Sequence, residues 1–214
     1  TAGPMAKNVT DAVIMLNAMV KRDKNDNGSI GSSINYLSHL KKGGLKGKRI
    51  GIVRNLMGYH KKLDFVFEQA VKDLKAQGAI IIDNTNIETH GQWDDAEFEV
   101  LLYEFKHDLN NYLKQTDENV PKTLAELIDF NQINADKEMA FFDQALFISA
   151  QSKGDLSEQA YQDALAKSKS LTQTKGIDAV LKKHQLDLLI APTVQPAWKQ
   201  DWINGDHYLG SATS

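Results

Sequence analysis

The chain has 214 residues, 42% of them hydrophobic and 25% charged, with a formal net charge of -3. That balance excludes wholesale disorder, leaves room for one large domain or two small ones, and offers no broad basic surface for a nucleic-acid backbone. Cysteine is absent, which excludes disulfides, thiolate metal sites and a cysteine nucleophile, and no apolar run approaches the roughly 20 residues of a membrane-spanning helix.

Gly3-Pro4 is a turn, and Asn8 is placed to cap a helix, with Asp11 three residues later able to reach back to a free N–H. Val9, Ala12, Val13, Leu16, Met19 and Val20 recur at helical spacing and predict one continuous apolar face. A polar loop follows from Lys21 to Ser33, and the basic run Lys41 to Arg49 reads as a solvated loop before a strand. Arg49-Ile50-Gly51-Ile52-Val53 is short and β-branched, as a buried strand is. Leu63, Phe67, Ala70, Val71 and Leu74 then mark a helix that Gly78 stops, and Ala79-Ile80-Ile81-Ile82-Asp83 is a second buried strand. Two apolar strands joined by an amphipathic helix predict a βαβ unit with parallel strands, near 49–53 and 79–83.

From Asp94 the pattern turns helical, with Phe98, Leu101, Leu102, Phe105, Leu109, Tyr112 and Leu113 on one stripe and Asp94-Asp95 at its N-terminus. Thr123-Leu124-Ala125-Glu126 is a capping box after the break at Val120-Pro121. Further helix is expected over about 138–152 and, after a Ser157 cap, over 158–183, where Gly176 can split it. Leu186 to Ala191 is a third strand candidate, ended by Pro192. The fold class is therefore α/β, a mainly parallel or mixed sheet with a helix-rich insertion, at about 94–184, between its second and third strands.

Most candidate chemistry has a bland alternative. Asp23 to Ile30 carries oxygen ligands at positions 1, 3 and 5 of a calcium loop, but position 12 is Ile34, which has no oxygen, so a polar surface loop is the reading. Ser32 and Ser33 have no partner base identifiable from spacing. The six histidines show no pair at metal-binding spacing, so no metal is expected. His184 fits a helix C-terminus, where the dipole favours a cation, and Phe141-Phe142 with Phe147 reads as core. Ala191 to Trp198 leaves a strand into a proline-marked loop, and Trp198, Trp202, Asp201, Asp206 and His207 crowd the segment after it. The carboxyl end of a parallel strand is where α/β folds place ligands, so this stretch is the candidate site lining; an ordinary surface loop is the alternative.

Gly3-Pro4-Met5-Ala6-Lys7-Asn8-Val9-Thr10-Asp11-Ala12 resembles a segment of the amidase signature family that lies just downstream of its glycine- and serine-rich signature. Lys48 to Val53 resembles the family's next strand, and Phe130-Asn131 through Gln144 resembles a block of its amidase members. Asp187 to Thr193, Pro196-Ala197-Trp198 and Asn204-Gly205-Asp206 resemble its late region in the right order. The resemblance implies hydrolysis of carboxamides by a serine nucleophile, with a second serine in a cis peptide and a lysine base, and no cofactor. All three belong to the segment before Gly3-Pro4; these 214 residues hold no counterpart, and the roles do not pass to Ser32, Ser33 or Ser211.

The expectation is thus one incomplete α/β domain over 1–214, the middle-to-late part of an amidase acting on a small-molecule amide and inactive alone. No nucleic-acid or membrane partner is expected. Trp198, Asp206 and Ser211 are the candidates for one wall of the substrate pocket. Exposed sheet edges would favour a homo-oligomer. A soluble protein of the cytoplasm or periplasm is expected, the compartment itself being unwritten. Two alternatives stay open: a non-catalytic α/β binding domain related to amidases, and a subunit of an amidotransferase, from which Trp198 and Asn204-Gly205-Asp206 look more distant.

Overall fold

The computed structural model describes residues 3–24, 29, 31 and 33–210. They group into two compact units, Thr1–Lys48 with Lys72–Ile80, and Arg49–Val71 with Ile81–Ser214. The calcium-like loop lies largely outside the described residues, as do Ser32 and Ser211.

In the first unit, helix α1 (Val9–Met19) starts where Asn8 predicts: the Asp11 N–H donates to Asn8 Oδ1 at 2.9 Å, and the Asn8 amide donates back to Asp11 Oδ2 at 2.8 Å. Its apolar face is only partly covered. No residue of α1 is buried, and Val9 and Met19 are exposed. A 3₁₀ turn at Tyr36–His39 is capped by Asn35 and tied to α1 by the Tyr36 N–H, which donates to Asn17 Oδ1 at 3.0 Å. The basic run is a series of exposed turns, as expected. Gly78, at φ 89°, occupies the left-handed region that ends a helix, and its carbonyl accepts from the Gly47 N–H at 2.9 Å.

Three strands, β1 (Arg49–Ile52), β2 (Ile80–Ile82) and β3 (Leu188–Ile190), form one sheet in the order β2-β1-β3, with helix α2 (Lys61–Ala76) between the first two in sequence. β1 and β3 are parallel, with Ile50 opposite Leu188, Gly51 opposite Leu189 and Ile52 opposite Ile190. The bonds Ile80 N–H to Lys48 O and Thr85 N–H to Ile52 O advance together along both chains, so β2 also runs parallel to β1. The α/β class and the βαβ unit are therefore as the apolar pattern predicts, but β2 is not the buried strand expected: Ile80 is exposed and Ile81 and Ile82 are half-buried. Ile50, Ile52 and Val53 are essentially inaccessible, consistent with a strand covered on both faces. Asp187, just before β3, accepts from the Arg49 N–H at 2.8 Å and fixes the start of that register.

Between β2 and β3 lie α3 (Asp94–Leu113), α4 (Leu124–Ile133), α5 (Ala135–Glu138), α6 (Ala145–Gln151), α7 (Gln159–Lys169) and α8 (Asp178–His184). Half of the Thr123 box forms as expected: its hydroxyl accepts from the Glu126 N–H, while the Glu126 carboxylate reaches one residue further back, to the Lys122 N–H. His184 closes the last turn of α8 as expected. A second core joins Leu102, Leu124 and Ala150 from α3, α4 and α6.

Four further expectations need correction. The α3 stripe is split: Leu102 and Leu113 are buried, but Phe98, Leu101, Phe105 and Tyr112 are exposed, because the helix turns Ala96 and Tyr103 inward instead. Tyr103 is buried with its hydroxyl on Glu158 at 2.6 Å, and Tyr161 places its own on Glu104 at 2.8 Å. The bond to Glu158 pushes the Tyr103 phenol up to about 12, and burial does the same for Tyr161. The helix expected over 138–152 breaks between Glu138 and Ala145, because Gln144 is buried there, donating to Ile128 O and accepting from the Asn131 amide, each at 3.1 Å. Phe141 and Phe142 are consequently not core; they are exposed and meet the Trp202 ring at 4.8 and 6.2 Å. Finally, Ser157 turns to Asp155 rather than capping, and α7 starts from Glu158.

The split at Gly176 is real. A π-helical segment, Ser170–Ile177, connects α7 to α8, and Gly176 leaves helical geometry there at φ -94°, ψ -107°. An added Cβ would lie 2.5 Å from the Leu171 carbonyl oxygen, so the backbone can close on itself only at glycine.

Candidate functional site

The carboxyl ends of β1 and β3 open into a cleft of about 640 Å³ within the second unit. Its floor is apolar because the chain leaves both strands on aliphatic residues: buried Val53 after β1, and half-buried Ile190 and Ala191 at the end of β3. Beneath it Val53, Ile87 and Val180 form a core cluster with Leu56, Trp93 and Leu189 packed around them.

Two polar arrangements hold the loops that surround the floor. Arg54 grips Asp83 through both oxygens, at 2.6 and 2.8 Å, and also bonds Glu68 of α2, which raises its already high basicity. Asn55 then zips the loop after β1 to the loop after β2: its amide donates to Ile87 O at 2.8 Å, and its N–H donates to Asn86 Oδ1 at 3.1 Å. Ile87, His90 and Trp93 form one wall, the last two with ring centroids 5.6 Å apart. Thr172 and Ile177, on either side of the Gly176 kink, belong to another.

The segment after β3 supplies the remainder. Gln195 is buried between two prolines and acts as its hub, donating to His207 O and accepting from the Leu209 N–H, while its own N–H donates to Gly210 O at 3.3 Å. These bonds fold the chain back so that Tyr208, Leu209 and Gly210 line the cleft. Gly210 lies over the Tyr59 ring, where an added Cβ would come within 3.0 Å. The Tyr59 hydroxyl is buried without a hydrogen-bond partner among the described residues, and burial pushes that phenol up.

Of the residues singled out from sequence, Trp198 and Asp206 are brought together, the indole N–H donating to Asp206 Oδ1 at 3.3 Å, with Tyr208 edge-on to the indole at 6.2 Å. Trp198 borders a second, more open depression with Trp202, Ile203 and His207. Asp201 accepts from the Ile203 and Asn204 N–H groups and the Asn204 amide, which hold its carboxyl below the ordinary range and fix the turn at Asn204-Gly205. Asn55, Gln195 and Thr89 carry the architecture of the cleft without having stood out in the sequence; for Gln195 the available signal was a lone amide flanked by Val194 and Pro196.

The lining of the cleft is mostly apolar. Among the described residues lining it there is no serine, cysteine or lysine, only the carboxylates of Asp94 and Glu97, the His90 imidazole and neutral polar groups. Nor do the described residues bring three or more metal-ligating side chains together, and no described helix is long and apolar enough to cross a membrane.

The Amidase family model matches residues 1–209. A probable amidase of Arabidopsis thaliana is 34% identical over 198 residues, 88% of this chain and 37% of that protein. The crystal structure of a peptide amidase in complex with the competitive inhibitor chymostatin matches with a TM-score of 0.91 at 36% identity, covering 100% of this chain and 44% of that one. A glutamyl-tRNA(Gln) amidotransferase subunit of a Ruegeria species is 39% identical over 84 residues, 38% of this chain and 17% of that protein. The chain thus spans less than half the length of each of these relatives, and by its match over residues 1–209 it belongs to the amidase family.

Proposed function

We propose that the protein carrying this chain is a hydrolase that cleaves the C–N bond of a carboxamide, using a serine, a cis-serine and a lysine supplied by sequence outside these 214 residues. The family match over residues 1–209 carries this reading. In such a reaction the lysine takes the proton of the serine, the serine oxygen adds to the amide carbon, backbone N–H groups hold the oxyanion, and the proton passes to the nitrogen as the C–N bond breaks and the amine departs. Water then releases the acyl group. This chain contributes scaffold and binding surface, as one incomplete α/β domain that is inactive alone.

A free-standing amidase is favoured over an amidotransferase component because the likeness to the Arabidopsis amidase runs over 198 residues and that to the amidotransferase component over 84. The same reading assigns Trp198, Asp206 and Ser211 to an outer wall of the pocket beyond the cleft lining, Trp198 meeting it at Tyr208 and Ser211 being outside the described residues. It also assigns the outer edges of β2 and β3 to pairing with further strands of the domain or, in their absence, with a second copy.

In the full protein, Trp198→Ala will change selectivity among amides while leaving the nucleophile reactive towards a fluorophosphonate. A well-folded Trp198→Ala variant that no longer labels would remove Trp198 from the pocket wall. Failure of the parent protein to release amine from any carboxamide would favour the non-catalytic reading.

A further inference from the structure

We infer that the cleft at the ends of β1 and β3 receives the bulky apolar group flanking the scissile amide, and that Thr89, which does not line it, is the positioning residue that fixes its width. The inference rests on the amidase reading for the identity of the ligand, and on geometry for the rest.

The lining determines the class of group. Val53, Leu56, Ile87, Trp93, Ile177 and Leu189 give an apolar surface large enough for an aryl or branched aliphatic group. Asp94 and Glu97 are the charged residues on it, and no lysine or arginine among the described lining residues offsets them, so an anionic group is disfavoured.

Width depends on two walls that come from distant parts of the sequence. One is the segment carrying Ile87, His90 and Trp93; the other is the kinked helix carrying Thr172 and Ile177. Thr89 bridges them: its hydroxyl, in a residue only 9% exposed, donates to Leu171 O at 2.7 Å. That same carbonyl is the atom an added Cβ at Gly176 would strike, so the bond grips the helix at its kink. A second tie, Lys183 to Glu88 at 2.8 Å, joins the same two segments, but both side chains are mostly exposed and solvent weakens it. The buried bond is the one that sets the spacing.

The test uses the full protein and a series of neutral amides, acetamide, benzamide and 3-phenylpropionamide, followed in parallel by steady-state hydrolysis and by calorimetric binding. Thr89→Val should raise KM and weaken binding about tenfold for 3-phenylpropionamide while acetamide moves less than about twofold, and kcat on acetamide should hold. Thr89→Ser, which keeps the hydroxyl, should restore the parent order of sizes, and Glu88→Gln should not disturb it. A merely structural role would lower activity on all three amides alike. That outcome, or an unchanged size order in Thr89→Val, overturns the inference even if the protein is an amidase. If the parent binds the series but hydrolyses none of it, the amidase reading fails, and the shift in binding order still decides whether Thr89 sets the cleft.

Discussion

Gly51→Ala will lower the stability of the protein by about 3 kcal/mol, read as a shift in the midpoint of equilibrium urea unfolding. The position is central in β1 and has no room: an added Cβ would lie 2.5 Å from Leu186 Cδ1, 2.5 Å from Thr85 Oγ1 and 2.7 Å from Leu189 Cδ2. None of these can retreat easily. The Thr85 hydroxyl is fixed by its bond to Ile52 O at 3.0 Å, and Leu189 sits opposite Gly51 in the strand register. The methyl must therefore push the strands apart beneath the cleft floor. Gly3→Ala is the matched control, because no described residue lies within 4 Å of that Cβ, and its effect should stay within about 0.5 kcal/mol. An equal response at the two positions would mean that β1 and β3 do not pack as described.

Leu124→Ala should cost about 3–4 kcal/mol by the same measurement, from lost burial plus the cavity left behind. Leu124 is 0% exposed and fills the space between Leu102 and fully buried Ala150, with Ile128 and Phe147 around it. Collapse into that space is hindered because its N–H is held by Asn110 Oδ1 at 2.7 Å. Leu124→Met, which nearly conserves volume, should cost less than about 1.5 kcal/mol. Similar losses for Ala and Met would show that the site is not a packed core.

The elements read correctly from sequence were those with a strong local signal. Asn8 and Thr123 satisfy the free N–H groups of their helices within three residues, and the apolar runs at Ile50 and Ile80 both form strands of the sheet, although only the first is buried. Gly176 was visible as a helix breaker because its cost is local too. What failed was set by partners distant in sequence. Tyr103 entered the core because Glu158, 55 residues away, accepts its hydroxyl, and that rotation exposed Phe98 and Leu101. Gln144 broke a helix because its amide satisfies Ile128 O, which periodicity does not register. The cleft is the same case at larger scale. Its walls meet through Asn55 to Ile87 and Thr89 to Leu171, pairs 32 and 82 residues apart, whereas the tryptophans that stood out by composition gather around the depression beside Trp202.

Under the proposed function this chain shapes an amidase pocket, while the attacking serine comes from elsewhere in the protein. Labelling the full protein with a fluorophosphonate and mapping the adduct by peptide mass spectrometry tests it most directly. A single modified serine is expected, in a peptide outside these 214 residues. An adduct on a serine within them, Ser32, Ser33 or Ser211 included, would contradict it.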